Sequence, residues 1–129
     1  MNNSLRYFWP AILWAIFIFT ICNVELKSTG GPSMFFEGFD KFTHCGLFFV
    51  LTIFYCNGFL RKHRLKALSA IQAIAIILLM ISFGGIIELV QQYIFTWRSG
   101  DLADLFADSV GTCMGILGTM LITSAVKRS

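Results

Sequence analysis

Charge is what this chain has least of. Only 13% of its 129 residues are Asp, Glu, Lys or Arg, and it has two prolines. A soluble domain needs a polar surface, and globular chains carry roughly 25% charged residues. That scarcity, with 57% apolar residues and a mean hydropathy of +0.74, excludes an ordinary soluble domain and places the chain in a membrane. Closely spaced thiols are also missing. The four cysteines, Cys22, Cys45, Cys56 and Cys113, form no CxxC pair, so they read as small apolar packing residues rather than metal ligands. No metal and no cofactor is expected. The basic residues form one short run with no soluble module to present it, which excludes nucleic acid as a partner. No internal repeat or low-complexity segment breaks the chain into further domains.

What is present is a set of long apolar runs. The first spans about Tyr7 to Leu26, with Pro10 in its first turn, where a missing N–H costs little. It is too long for a signal-peptide core and no small-x-small cleavage site follows, so a retained helix is expected. Gly30-Gly31-Pro32 makes a break, and the apolar stretch from Met34 to Phe39 suits a membrane interface. The second run covers 40–60 and stops at the charge run Arg61-Lys62-His63-Arg64-Leu65-Lys66. A third, 67–95, exceeds the bilayer core at about 1.5 Å per residue, with Tyr93 and Trp97 placed for an aromatic belt. The fourth covers 101–126 and is followed by Lys127-Arg128. The expected fold is an all-α membrane protein: one domain over residues 1–129, a four-transmembrane-helix bundle with short loops. Arg6, the Arg61–Lys66 run and Lys127-Arg128 fall on one side, so the positive-inside rule puts both termini in the cytoplasm.

Most remaining polar residues then sit near the opposite face. Asp40, Lys41 and His44 open the second helix, and Asp40 and His44 share a face one turn apart. Glu88 nears the outer end of the third helix, followed by Gln91 on the same face. Arg98 lies in the outer turn, and Asp101, Asp104 and Asp108 open the fourth helix on one face. An ionisable group at mid-span costs about 2.5–3.5 kcal/mol on insertion scales, less near the interface. Groups from three segments at similar depth therefore suggest one wet charge network. Bland roles compete with this reading. Asp40 is placed to cap a helix, and Asp101 with Asp104 resembles an N-cap arrangement that also suits the helix dipole. Gly111, Gly115 and Gly118 form a small-residue strip for close helix packing, with Gly84-Gly85 in the third helix as the expected counterpart.

The ordered set Asp40-Lys41-x-x-His44, Ile87-Glu88-Leu89-x-Gln91, and Arg98-x-x-Asp101-x-x-Asp104-x-x-x-Asp108-x-x-Gly111-x-x-x-Gly115 resembles the VanZ-like family. The resemblance runs from about Asp40 to Gly118, and the family pattern carries Asn where this chain has Asp108. It implies four spans and an envelope-related role; the family is named for a protein associated with low-level resistance to the glycopeptide teicoplanin. It implies no reaction.

Three functions follow from these residues. In the first, the outer cluster binds, and in a catalytic version modifies, an amphiphilic envelope lipid or cell-wall-related substrate. His44 or Glu88 would act as acid or base, Lys41 and Arg98 would hold an anionic group, and Gln91 and Asp104 would orient partners. No Ser-His or Cys-His motif supplies a nucleophile, so a reaction stays open. The second is an ion- or proton-coupled transporter, the third a structural or regulatory membrane partner. The bilayer is the expected partner, and self-association is left open.

Overall fold

The computed structural model describes residues 3–23, 39–93 and 102–128. They form four helices: α1 Leu5–Asn23, α2 Phe39–His63, α3 Ala70–Tyr93 and α4 Leu102–Arg128. No strand occurs among the described residues. Three helices are long and apolar enough to cross a membrane: Lys41–His63 with 23 residues, Ala70–Tyr93 with 24 and Leu102–Val126 with 25. The apolar stretch of α1, Leu5–Ile21, is shorter. The fold is the expected all-α, membrane-type helical bundle. The expected break at Gly30-Gly31-Pro32, the interfacial stretch up to Gly38, and Trp97 lie outside the described residues.

Helix ends depart from the sequence expectation for local reasons. α2 does not stop before its charge run but carries Arg61, Lys62 and His63 as its last turn, where cations suit the negative end of the helix dipole. It ends at Arg64, whose φ is 54°. Leu65 N donates to Leu60 O at 2.9 Å and Arg64 N to Arg61 O at 3.4 Å. This is a Schellman stop with arginine in the left-handed position that glycine usually fills. α3 begins at Ala70 rather than Ala67 because Ser69 caps it. Gln72 N donates to Ser69 Oγ at 3.3 Å, and Ser69 N donates to Gln72 Oε1 at 2.9 Å. Such a reciprocal capping box satisfies two otherwise orphaned donors. α1 starts at Leu5, so Pro10 lies inside the helix rather than in its first turn. Its missing N–H leaves the Arg6 carbonyl, close to the helix end, without that intrahelical donor.

α2 is the central element. It packs against α1 on one side and most extensively against α4 on the other, and α3 leans mainly on α4. Between α1, α2 and α3 runs an apolar groove of about 190 Å³ lined by Phe8, Ala11, Leu51, Tyr55, Met80 and Phe83. The buried apolar core includes Ile18, Phe48, Leu51, Cys56, Ile76, Met80, Ile87 and Ile116. Trp14 joins α1 to α2 by donating from Nε1 to Leu47 O at 3.0 Å, with its ring edge-on to Phe54 at 6.0 Å. Cys45, Cys56 and Cys113 are free thiols.

Glycines set the closest approaches. A β-carbon on Gly111 would collide with the Cys45 carbonyl of α2, and one on Gly115 would lie 2.7 Å from Thr52 Cβ. The counterpart of the α4 strip is therefore the α2 surface at Cys45, Phe49 and Thr52, not Gly84-Gly85. Gly118 makes only ordinary contacts, and Gly85 has nothing within 4 Å of its missing β-carbon. Gly84 does face α4, where a β-carbon would meet Asp108 Oδ2 at 2.8 Å. Gly58, not singled out by sequence, lets the α1 backbone at Tyr7 rest on α2. A small residue must sit wherever two helix backbones touch, and the pairing of faces is a tertiary choice.

The outer surface is apolar and the interior partly polar. Ile71, Leu78, Leu89, Phe106, Leu117 and Leu121 are exposed, while His44, Glu88, Gln91, Asp104 and Asp108 are buried. Water would not tolerate that arrangement; a hydrocarbon surround favours it. Tyr93 is exposed at the end of α3.

Candidate functional site

The buried ionisable residues, with Gln91, gather where the N-terminal ends of α2 and α4 meet the C-terminal end of α3. Helix periodicity places each of them. Lys41 and His44 are three apart on α2, Glu88 and Gln91 three apart on α3, and Asp104 and Asp108 four apart on α4. Each pair therefore shares a face. The off-face neighbour Gln92 is exposed. His44, Glu88 and Asp108 lie five or six residues in from their helix ends, a depth of about 8 Å at 1.5 Å per residue.

A chain of polar contacts links α2 to α4. Lys41 Nζ, at the rim, donates to Asp104 Oδ1 at 3.4 Å. Asp104 Oδ2 lies 3.9 Å from His44 Nε2, an ion-pair distance too long for a hydrogen bond. His44 Nδ1 is hydrogen-bonded to Asp108 Oδ1 at 2.9 Å. The imidazole thus sits between two carboxylates, and Asp108 is 1% exposed and His44 2%. Glu88 completes the group from α3: ligating atoms of His44, Glu88 and Asp108 all lie within 4.8 Å of one another. Asp108 uses Oδ1 for the histidine, while its buried Oδ2, like Glu88 Oε1 and Gln91 Oε1, accepts no hydrogen bond among the described residues, and all three side chains engage other groups as well.

The surroundings hold these groups in place. Gly84 allows α3 to approach the Asp108 carboxylate closely, as its missing β-carbon requires. Thr112 Oγ1 donates to the Asp108 carbonyl at 2.9 Å, and Thr52 Oγ1 to the Phe48 carbonyl at 2.7 Å. Both threonines satisfy their hydroxyls on their own helix, which is how hydroxyls are hidden inside apolar bundles.

Of the polar residues that the sequence places at one depth, the structure brings Lys41, His44, Glu88, Asp104 and Asp108 together, and buries Gln91 on the Glu88 face of α3. Asp104 is more than a helix cap: it is 4% exposed and engages both Lys41 and His44 across the helix interface. The side chain of Asp40, and Arg98 and Asp101 as whole residues, lie outside the described residues. Sequence reasoning missed Thr52 and Thr112. Thr112 follows Asp108 by one turn, a spacing that could have marked it.

Chemically, an imidazole hydrogen-bonded to a buried carboxylate can take or give a proton with its ring orientation fixed. Carboxylates from two helices around that imidazole also form a donor set for a cation. Among the described side chains the group carries the acids Glu88, Asp104 and Asp108 against Lys41 and the titratable His44. Comparison with protein-family models, with curated proteins and with solved structures finds no match to the chain.

Proposed function

We propose that this chain is a multi-pass protein of the cytoplasmic membrane, similar to the VanZ-like family, that binds the polar head of an envelope amphiphile at one membrane face. The reading counts α1 as a fourth span and places both termini and the Arg61–Lys66 run in the cytoplasm. The polar end of the bundle then opens to the extracytoplasmic leaflet. A link to glycopeptide resistance would follow from a cell-wall-related substrate.

The observation that carries the proposal is the burial of His44, Glu88, Gln91, Asp104 and Asp108 inside a bundle whose outside is apolar. Each buried charge costs free energy in such a setting, so a network of this size signals a polar ligand or water within the bundle. Lys41 stands at the rim with its side chain 44% exposed, placed to meet an anionic head, and Arg98 is its expected companion. His44 and Asp108 can position or exchange a proton on the bound head. A transmembrane relay is less well supported: the other halves of the helices bury Cys56, Ile76, Ile116 and Thr119, none of them a proton carrier in ordinary conditions.

The test is lipid retention. Purified protein in nanodiscs containing phosphatidylglycerol should hold a lipid detectable by native mass spectrometry. His44→Ala and Lys41→Ala should each weaken retention about tenfold, about 1.4 kcal/mol, while Lys66→Gln leaves it unchanged. Equal retention by all four proteins would sink the reading.

A further inference from the structure

We propose that His44, Glu88 and Asp108 form a binding site for one divalent transition-metal ion, with zinc and manganese as the fitting cations. The inference goes beyond headgroup binding and holds whether or not an amphiphile occupies the polar end.

Three observations converge on it. The first is geometric. One ligating atom from each residue lies within 4.8 Å of the other two, and His44 Nδ1 and Asp108 Oδ1 are 2.9 Å apart. Metal bonds of about 2.0–2.2 Å give ligand–ligand distances of about 3.3 Å on a tetrahedral edge and about 4.2 Å across a metal. His44 Nδ1 and Asp108 Oδ1 would part by about 0.4 Å, and a spacing of 4.8 Å would close by about 0.6 Å across a metal or about 1.5 Å to a tetrahedral edge, a change that side-chain rotation supplies. The second is donor chemistry. One imidazole and two carboxylates suit zinc or manganese, whereas calcium takes six to eight oxygens. Buried carboxylate oxygens line the group: Asp108 Oδ2 and Glu88 Oε1 accept no hydrogen bond from the described residues, while both side chains engage further groups.

The third is charge. Lys41 and Asp104 balance each other as an ion pair. Glu88 and Asp108 together carry two negative charges at buried positions, 8% and 1% exposed. A divalent cation between these carboxylates is attracted by both, and the low dielectric of a buried site strengthens that attraction. Metal entry displaces the proton held between His44 Nδ1 and Asp108 Oδ1, which leaves to solvent, so the metal and the hydrogen bond are alternatives. With Nδ1 on the metal, Nε2–H points to Asp104, the usual partner that fixes a ligating imidazole. Three protein ligands leave a coordination position open for water or an incoming oxygen.

The ligands come from α2, α3 and α4, so the ion would also tie together three helices. That gives the experiment two readouts. Full-length protein in detergent, free of any affinity tag and stripped with chelator, is dialysed against Zn2+ or Mn2+ and its metal content measured. One ion per chain is expected, with affinity lowered at least tenfold in Glu88→Gln and in Asp108→Asn. Thermal unfolding of the stripped wild type should shift upward on adding the metal, and the shift should be absent in Glu88→Gln. The variant lacking all four cysteines should keep one ion, and X-ray absorption should find nitrogen and oxygen ligands without sulfur. Substoichiometric metal in the wild type, binding that persists in both carboxylate variants, or binding lost with the cysteines would each overturn the site. Lipid retention is measured on chelated and metal-loaded protein separately, so a failure of headgroup binding is read apart from a failure of metal binding.

Discussion

The two ends of the bundle treat charge in opposite ways. At one end, His44, Glu88, Asp104 and Asp108 are turned inward and buried. At the other, Arg61, Lys62, His63, Arg64 and Lys66 are all exposed. Their neighbours differ to match. The inward charges meet each other across helix interfaces, as Asp108 meets His44 at 2.9 Å. The outward ones make peripheral contacts: Lys62 Nζ lies 5.7 Å from the Phe8 ring centre, and His63 stacks obliquely on Phe59 at 4.6 Å. Outward cations at a helix end cost little, because water and the negative end of the helix dipole both accommodate them. Inward acids cost much, and a fold keeps them only with partners or a ligand. The difference separates an exposed charge run from a candidate site, though both are charge clusters in sequence.

Substitutions should divide along the same line, and the largest effect belongs to the polar end. Gly111→Ala places a β-carbon against the Cys45 carbonyl, one turn from the Asp108–His44 pair. It should destabilise the bundle by about 3 kcal/mol, measured by steric-trap or denaturant unfolding in bicelles. Gly85→Ala, with open space around it, should not destabilise; an equal loss in both would undo the claim that α2–α4 contact builds the polar end. At the basic end the main effect should have the opposite sign. Arg64→Gly relieves a left-handed residue at the α2 stop and should stabilise by about 1 kcal/mol in the same assay. Loss of stability instead would mean that the arginine side chain matters more than its backbone. The smallest effect is expected from Arg61→Gln, an exposed charge, at under about 0.5 kcal/mol. A cost of several kcal/mol there would erase the contrast between the ends.

Much of the candidate site was legible in the chain because helical spacing is rigid. Lys41 with His44, Glu88 with Gln91, and Asp104 with Asp108 had to share faces once their segments were helical. Helix ends were less legible. The α2 stop depended on Arg64 accepting a left-handed conformation, which composition does not announce, and the α3 start depended on a Ser69–Gln72 cap that propensity alone passes over. Glycine pairing was not legible for a different reason. Small residues reveal that a helix can be approached closely, but Gly111 and Gly115 look the same whether α2 or α3 arrives. The sequence puts His44, Glu88 and Asp108 at one depth on three helices, but that ligand-type atoms of all three lie within 4.8 Å of one another depends on how those helices pack.

By itself the sequence determined that this is an all-helical membrane-type protein, where its apolar runs lie, and which polar residues share a helix face. Hydrocarbon burial and the 3.6-residue period are local rules, readable one segment at a time. Only the tertiary structure decided that α4 lies along α2, that Asp104 serves Lys41 and His44 as well as its own helix, and that Asp108 and Glu88 meet at one imidazole. Those pairings depend on which backbones can touch, and contact between helices is a property of the packed bundle rather than of any single run.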